Sequence, residues 1–165
     1  MGHLRALAAA GCVALLAACA GGGTDASASQ ALSAPTLTPV DGTPARMEEA
    51  TIRIAFDDAA AAELISPVPA GLDFATDALL CVFLGERPTG GWGLDLQSAS
   101  LVDGELRILG RETRPRDNAT QALTYPGDCA ALPRAALPPG ELAVRADDTN
   151  SDEFIVAGRI EVPGS

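Results

Sequence analysis

From residue 48 onward, apolar and polar side chains alternate with a period of two. Ile52, Ile54 and Phe56 fall on one face of an extended segment. So do Trp92, Leu94 and Leu96, then Leu106 with Ile108, and Leu142 with Val144. Such alternation predicts half-buried strands. "ALLCVFLG", residues 78–85, is apolar without interruption and predicts a central strand buried on both faces. Asp103-Gly104 between two alternating runs predicts a tight hairpin turn, and "EFIVAGRIEV", 153–162, a last strand. Only "DDAAAAEL", 57–64, breaks the pattern. Its alanines and acids, with no β-branched residue, predict a short helix begun by Asp57 and Asp58. The pattern as a whole predicts an all-β, mainly antiparallel domain: a small β-sandwich or a partly open barrel with at most one short helix.

The front of the chain is patterned differently. "MGHLRALAAAGCVALLAAC" has a short polar start with Arg5, then an apolar run too short to span a bilayer comfortably, then small residues. That is the layout of an export signal over residues 1–18. Leu16, Ala17, Ala18 and Cys19 resemble the lipobox of bacterial lipoproteins, which implies a lipid (palmitate among its acyl chains) on Cys19. The alternative is an ordinary cleaved signal with Cys19 incidental. Residues 20–46 are rich in Gly, Ala, Ser, Thr and Pro without an apolar period, and read with Cys19 as a disordered tether, 19–46. Residues 47–165 are then a single β-rich domain. The expected location is the cell envelope. Ala20 rather than an aspartate beside Cys19 favours the outer membrane, facing the periplasm or the surface, in a Gram-negative host.

Composition narrows the chemistry. The 165 residues carry 22 acids and 11 basic residues, a net charge of −11, and every basic residue is an arginine. That sign argues against nucleic acid as a partner and for a solvated acidic surface. His3 is the one histidine and leaves with the leader, and the sequence has no lysine. Triads that need an imidazole, His-ligated metals and Schiff-base chemistry each lose a required group. No enzyme activity, cofactor or metal is expected; only a carboxylate mechanism would remain open.

Cys81 lies in the buried apolar strand and Cys129 in "YPGDCAAL". Two cysteines remaining in an exported domain predict a Cys81–Cys129 disulfide, with two separate buried thiols as the alternative. In "DDTNSDE", 147–153, Asp148, Asn150 and Asp152 have the spacing of the first ligands of a calcium loop. Glu153 and Arg159 stand where that loop needs glycine and a bidentate glutamate, so a solvated hairpin turn is the expectation. Asn118-Ala119-Thr120 is a formal glycosylation sequon without weight in a bacterial lipoprotein.

The stretch "GERPTGGWG" places the only tryptophan beside two adjacent glycines. Pro88 stiffens its entry, Thr89 can bond nearby backbone, and Gly90-Gly91 permit positive φ and close approach. An ordinary turn with Trp92 as the first core residue of the next strand would account for it. Residues 82–126 also resemble the C-terminal domain family of the protease complex subunit PrcB. The resemblance rests on Gly85, Pro88, Thr89, Gly90, Gly91 and Trp92, then Pro115, then Thr120, Gln121, Thr124 and Pro126. Trp92 stands where the family usually has tyrosine, and "GDCAALPRAALPPGE" differs from the short apolar strand that follows there.

The resemblance implies a PrcB-like, protease-associated lipoprotein without a catalytic site. Such a module would bind and stabilise a protein partner, an exported peptidase for instance. Its contact residues would be Pro88, Thr89, Gly90, Gly91, Trp92, Gln121, Tyr125 and Pro126. The alternative is a peptidase inhibitor, because the loop also resembles the N-P-T-T-G loop of chagasin-like inhibitors. Arg87 replaces the asparagine of that loop and Gly90 its second threonine.

Overall fold

A computed structural model describes residues 34–116, 119–151 and 153–164 of the chain. Cys19, His3, the leader, Asn118 and Asp152 lie outside the described residues. The elements in chain order are β1 (Thr38–Pro39), β2 (Thr43–Pro44), β3 (Ala50–Ala55), α1 (Asp58–Ala62), β4 (Ile65–Ser66) and β5 (Asp77–Leu84). There follow β6 (Gly93–Val102), β7 (Glu105–Thr113), β8 (Gly127–Pro133), a 3-10 turn at Arg134–Ala136, β9 (Gly140–Asp148) and β10 (Phe154–Val162).

Two four-stranded sheets, ordered β1-β8-β5-β3 and β10-β9-β7-β6, pack face to face as a small β-sandwich. All pairings are antiparallel except β7 with β9, because the chain leaves β7, crosses to the other sheet for β8, and returns. Asp103 and Gly104 both have positive φ and join β6 to β7, as the Asp-Gly pair predicts. The helix is five residues long, with the Asp57 carboxylate accepting from the Ala60 N–H at 2.8 Å.

β5 is buried along nearly its whole length for the reason its sequence suggests. Ala78, Leu80 and Val82 face the space between the sheets, among Leu96, Leu106, Ile108, Leu132, Leu142 and Val144. Leu79, Cys81 and Phe83 face the other way, into a second apolar cluster with Ala55, Ala61, Leu64, Ile65 and Cys129. That second cluster is roofed by α1, the 67–74 segment and the chain before β3, which packs Val40, Ala45 and Met47 onto it.

Two expectations change here. Residues 38–46, read from composition as the end of a tether, form part of the fold. Thr38 pairs with Ala131 and Pro39 with Ala130 at the sheet edge, and Thr43-Pro44 pair with Ser66 and Ile65. A strap of two-residue strands has no length in which to show a period, so composition alone describes it badly. Likewise "GDCAALP" is not a departure from an apolar strand: it is β8, central to its sheet between β1 and β5. The small Ala130 and Ala131 and the Cys129 bridge let it lie close to its neighbours.

Cys81 and Cys129 are direct cross-strand partners with Cα atoms 4.2 Å apart, and they form a disulfide inside the second cluster. A neighbouring carboxylate joins the sheets. Asp128 on β8 accepts from the Leu96 N–H of β6 at 2.7 Å, where the β6–β7 register shifts. Burial pushes its carboxyl above the ordinary value and nearby Asp95 adds to this, partly offset by the Leu96 and Cys129 N–H donors.

Candidate functional site: a double loop at one end of the sandwich

The β5–β6 loop, 85–92, and the β7–β8 connection leave the same end of the sandwich, because β5 and β7 both finish there. Their two motif segments are bonded into one body. Arg87 and Thr124 exchange both backbone hydrogen bonds, at 2.8 and 3.0 Å. The Gly90 N–H donates to the Thr120 carbonyl at 2.9 Å, and the Thr124 hydroxyl donates to the Thr89 carbonyl at 2.8 Å. The Tyr125 hydroxyl donates to the Glu86 carboxylate at 2.9 Å, which raises the phenol above its ordinary value.

The glycines have separate reasons. Gly85 has φ +79° with the backbone of residues 48–50 where a side chain would stand. Gly91 has φ +87°, a conformation that L side chains rarely adopt. A methyl group at Gly90 would overlap the Thr120 hydroxyl, while Thr120 Cβ lies 3.7 Å away in ordinary contact. Gly90→Ala is therefore expected to destabilise the fold by about 0.5–1.5 kcal/mol, the cost of pushing the exposed Thr120 side chain off its rotamer. Adding Thr120→Ala should return most of that loss. A urea-melt cycle of the four proteins measures it, and additive losses would refute the packing.

Trp92 is not the first core residue of β6, which starts one residue later at Gly93. It is half-buried on the double loop, with its indole N–H donating to the Thr89 hydroxyl at 3.2 Å. The Arg87 guanidinium lies 5.2 Å from the ring centroid and 3.8 Å from the Glu112 carboxylate. Thr89 thus holds the indole with its hydroxyl and a neighbouring loop with its carbonyl; it is not an idle tip. Pro126 is buried and its carbonyl accepts from the Leu84 N–H at 2.8 Å.

The eight expected contact residues therefore divide. Pro88, Gly91 and Gln121 are exposed; Thr89, Gly90, Trp92 and Tyr125 are half-buried; Pro126 belongs to the frame. Sequence reasoning missed Leu123, 59% exposed at the crest between Ala122 and Thr124. Its signal was an apolar residue inside a turn motif, between two residues with no strand period.

The β9–β10 turn closes the same end. Asp148, expected to be solvated, is 3% exposed. Its carboxylate accepts from the Glu112 and Asn150 N–H groups at 3.0 and 3.2 Å and from the Ser151 hydroxyl at 2.7 Å. Burial alone would raise this carboxyl, yet those donors, with Arg114 nearby, hold it below the ordinary value. Among the described residues no group of acids, cysteines or histidines has the geometry of a metal site.

Away from this end, a cleft of about 470 Å³ lies between β1 and the 69–72 segment, with Asp41 and Asp77 as its ionisable lining. No described helix is long and apolar enough to cross a membrane. No curated protein and no solved structure matches the chain significantly. Residues 79–133, which run from β5 through the double loop to the end of β8, match the family model described as PrcB C-terminal, the family that the two loop motifs resemble.

Proposed function

We propose that this protein is a non-catalytic, membrane-anchored interaction module of the cell envelope that binds and stabilises a protein partner, an exported peptidase, through the double loop. The observation that carries the reading is how the two motif segments are spent. Their turn chemistry goes into bonding each loop to the other, and the product is a cross-bonded crest on which Pro88, Gly91, Gln121 and Leu123 are exposed. A cross-bonded crest loses little freedom on binding. The match to the PrcB C-terminal family over residues 79–133 supports a protease-associated role.

The path of the chain bears on which end an anchored module would present. β1 runs antiparallel to β8, Thr38 opposite Ala131 and Pro39 opposite Ala130, so the chain enters from the end where β8 finishes. The double loop is at the other end. A lipid on Cys19, in the outer membrane or any other envelope membrane, would thus leave the crest pointing away from the bilayer.

The test is capture from solubilised membranes by wild type and by Leu123→Asp and Pro88→Ala variants of matched melting temperature. An active peptidase should co-purify with wild type and be lost at least tenfold with Leu123→Asp. A co-purifying peptidase that is silenced would instead establish the chagasin-like inhibitor. Equal capture by all three proteins would remove the crest from the function, and retention of Cys19→Ser in the membrane fraction with normal processing would remove the lipid.

A further inference from the structure

The cleft between β1 and the 69–72 segment lies away from the double loop and shares no residue with it. Its volume, about 470 Å³, is within the range of about 300–1,000 Å³ that ligand sites occupy. Pro39, Val40, Pro69 and Leu72 give it an apolar wall, and the ionisable groups in its lining are two acids, Asp41 and Asp77. Thr38–Pro39 is the outer strand of its sheet, but Pro39 has no N–H to offer an added strand. An occupant therefore enters this cleft with its side chains rather than by extending the sheet.

The fold does not use these two carboxylates. None of the ion pairs among the described residues includes Asp41 or Asp77. The exposed Asp41 carboxylate has no hydrogen-bond partner among the described residues, and that of half-buried Asp77 accepts from the neighbouring Thr76 hydroxyl at 3.1 Å. Arg134 comes near through its backbone, whose N–H donates to the Thr76 carbonyl at 2.8 Å. Its guanidinium turns away, donating to the Phe74 carbonyl at 2.9 Å and lying over the Phe56 ring. Arg53 stands on β3, at the opposite edge of the sheet from β1. On a chain of net charge −11, a cationic partner is drawn to the protein and an anionic one is not.

We infer that this cleft is a second contact site, one that takes a lysine or arginine side chain from an extended segment of a partner protein. The aliphatic stem lies against Pro39, Pro69 and Leu72, and the charged head reaches Asp41 and Asp77. A metal ion would need more oxygen ligands than two carboxylates supply, and a hydrocarbon would leave both carboxylates without a partner. A long side chain with an apolar stem and a cationic head suits both parts of the lining. The site is independent of the double loop and stands whether or not the crest holds a peptidase.

The probe is a decapeptide of glycine and serine carrying two arginines, compared with its counterpart carrying two glutamines, in an amide NMR titration of the whole chain at about 50 mM salt. The arginine peptide should shift the signals of Val40, Asp41, Gly71 and Leu72 and bind about fivefold more tightly, as two exposed ion pairs allow. Asp41→Asn combined with Asp77→Asn should remove that advantage; if a melt shows this protein unfolded, Asp41→Asn alone serves. Glu49→Gln combined with Glu161→Gln, an equal change of charge at exposed residues outside the cleft, should keep most of it. Gly71→Phe tests the space: a first side-chain carbon there meets nothing within 4 Å, so the variant should melt as wild type and block the cleft. No shift at low salt, equal affinity for the two peptides, shifts spread evenly over the acidic surface, an equal loss with the Glu49 and Glu161 changes, or undiminished binding to Gly71→Phe would each overturn the inference. Peptidase capture lost with Leu123→Asp but kept with Gly71→Phe would leave the crest reading untouched by that result.

Discussion

A Cys81→Ala, Cys129→Ala double variant is expected to lose about 4 kcal/mol of unfolding free energy, from a bridge that spans 48 residues. The pair joins β5 to β8, the two central strands of one sheet, and lies in the second apolar cluster. Its removal therefore releases the segment that carries both halves of the double loop and the whole of β6 and β7. For a domain whose total stability is of the usual order, about 5–15 kcal/mol, that is a large share. Urea unfolding of the variant against the oxidised wild type measures it. Coincident curves would mean that strand pairing alone sets the closure. The side chains are buried, 0% and 2% exposed, so mild reductant should act only after unfolding.

A chain that begins at residue 48 should lose on the order of 3–5 kcal/mol. Val40, Ala45 and Met47 cover the second cluster and Leu37 packs on the main one. A fully buried Val, Leu or Met contributes about 1.5–3 kcal/mol, and these are only partly buried. The strap also supplies the Ala45 N–H to the Leu64 carbonyl at 2.8 Å and pairs the outer edge of β8. The truncated protein should bind a hydrophobic dye and melt earlier than one that begins at residue 34. Identical melting of the two would return residues 34–47 to the status of a tether.

How far the sequence could be read depended on where each residue's energy comes from. β5 was legible because burial on both faces leaves a continuous apolar run, and the Asp-Gly turn because positive φ at two successive positions suits few residues. The Cys81–Cys129 pairing was legible from the cysteine count once residues 1–19 are read as a leader and its lipid site. β8 was not, since alanine, proline and aspartate spell a turn until two neighbouring strands enclose them. Asp148 sits in an acidic run and looks solvated. Its burial is set by the Glu112 backbone, 36 residues away. At the candidate site the two motifs were both visible, but their bonding to one another was not: no spacing rule links Gly90 to Thr120 or Thr89 to Thr124. That pairing turned Thr89 from a contact tip into a brace and left Leu123 as the exposed apolar side chain.

The entry of the chain along β8 also has a mechanical side. Because Thr38-Pro39 lie antiparallel to Ala130-Ala131, a pull on the N-terminus directed away from the double loop loads this short ladder along the strand axis, in shear. Bonds loaded in shear share the force, whereas bonds at a peeled edge break one at a time. From β8 the load passes to β5 through a covalent link, Cys129 to Cys81, rather than through hydrogen bonds alone. Tension from an anchor would thus be carried through the middle of one sheet and would reach the crest at its far end without first unravelling an edge.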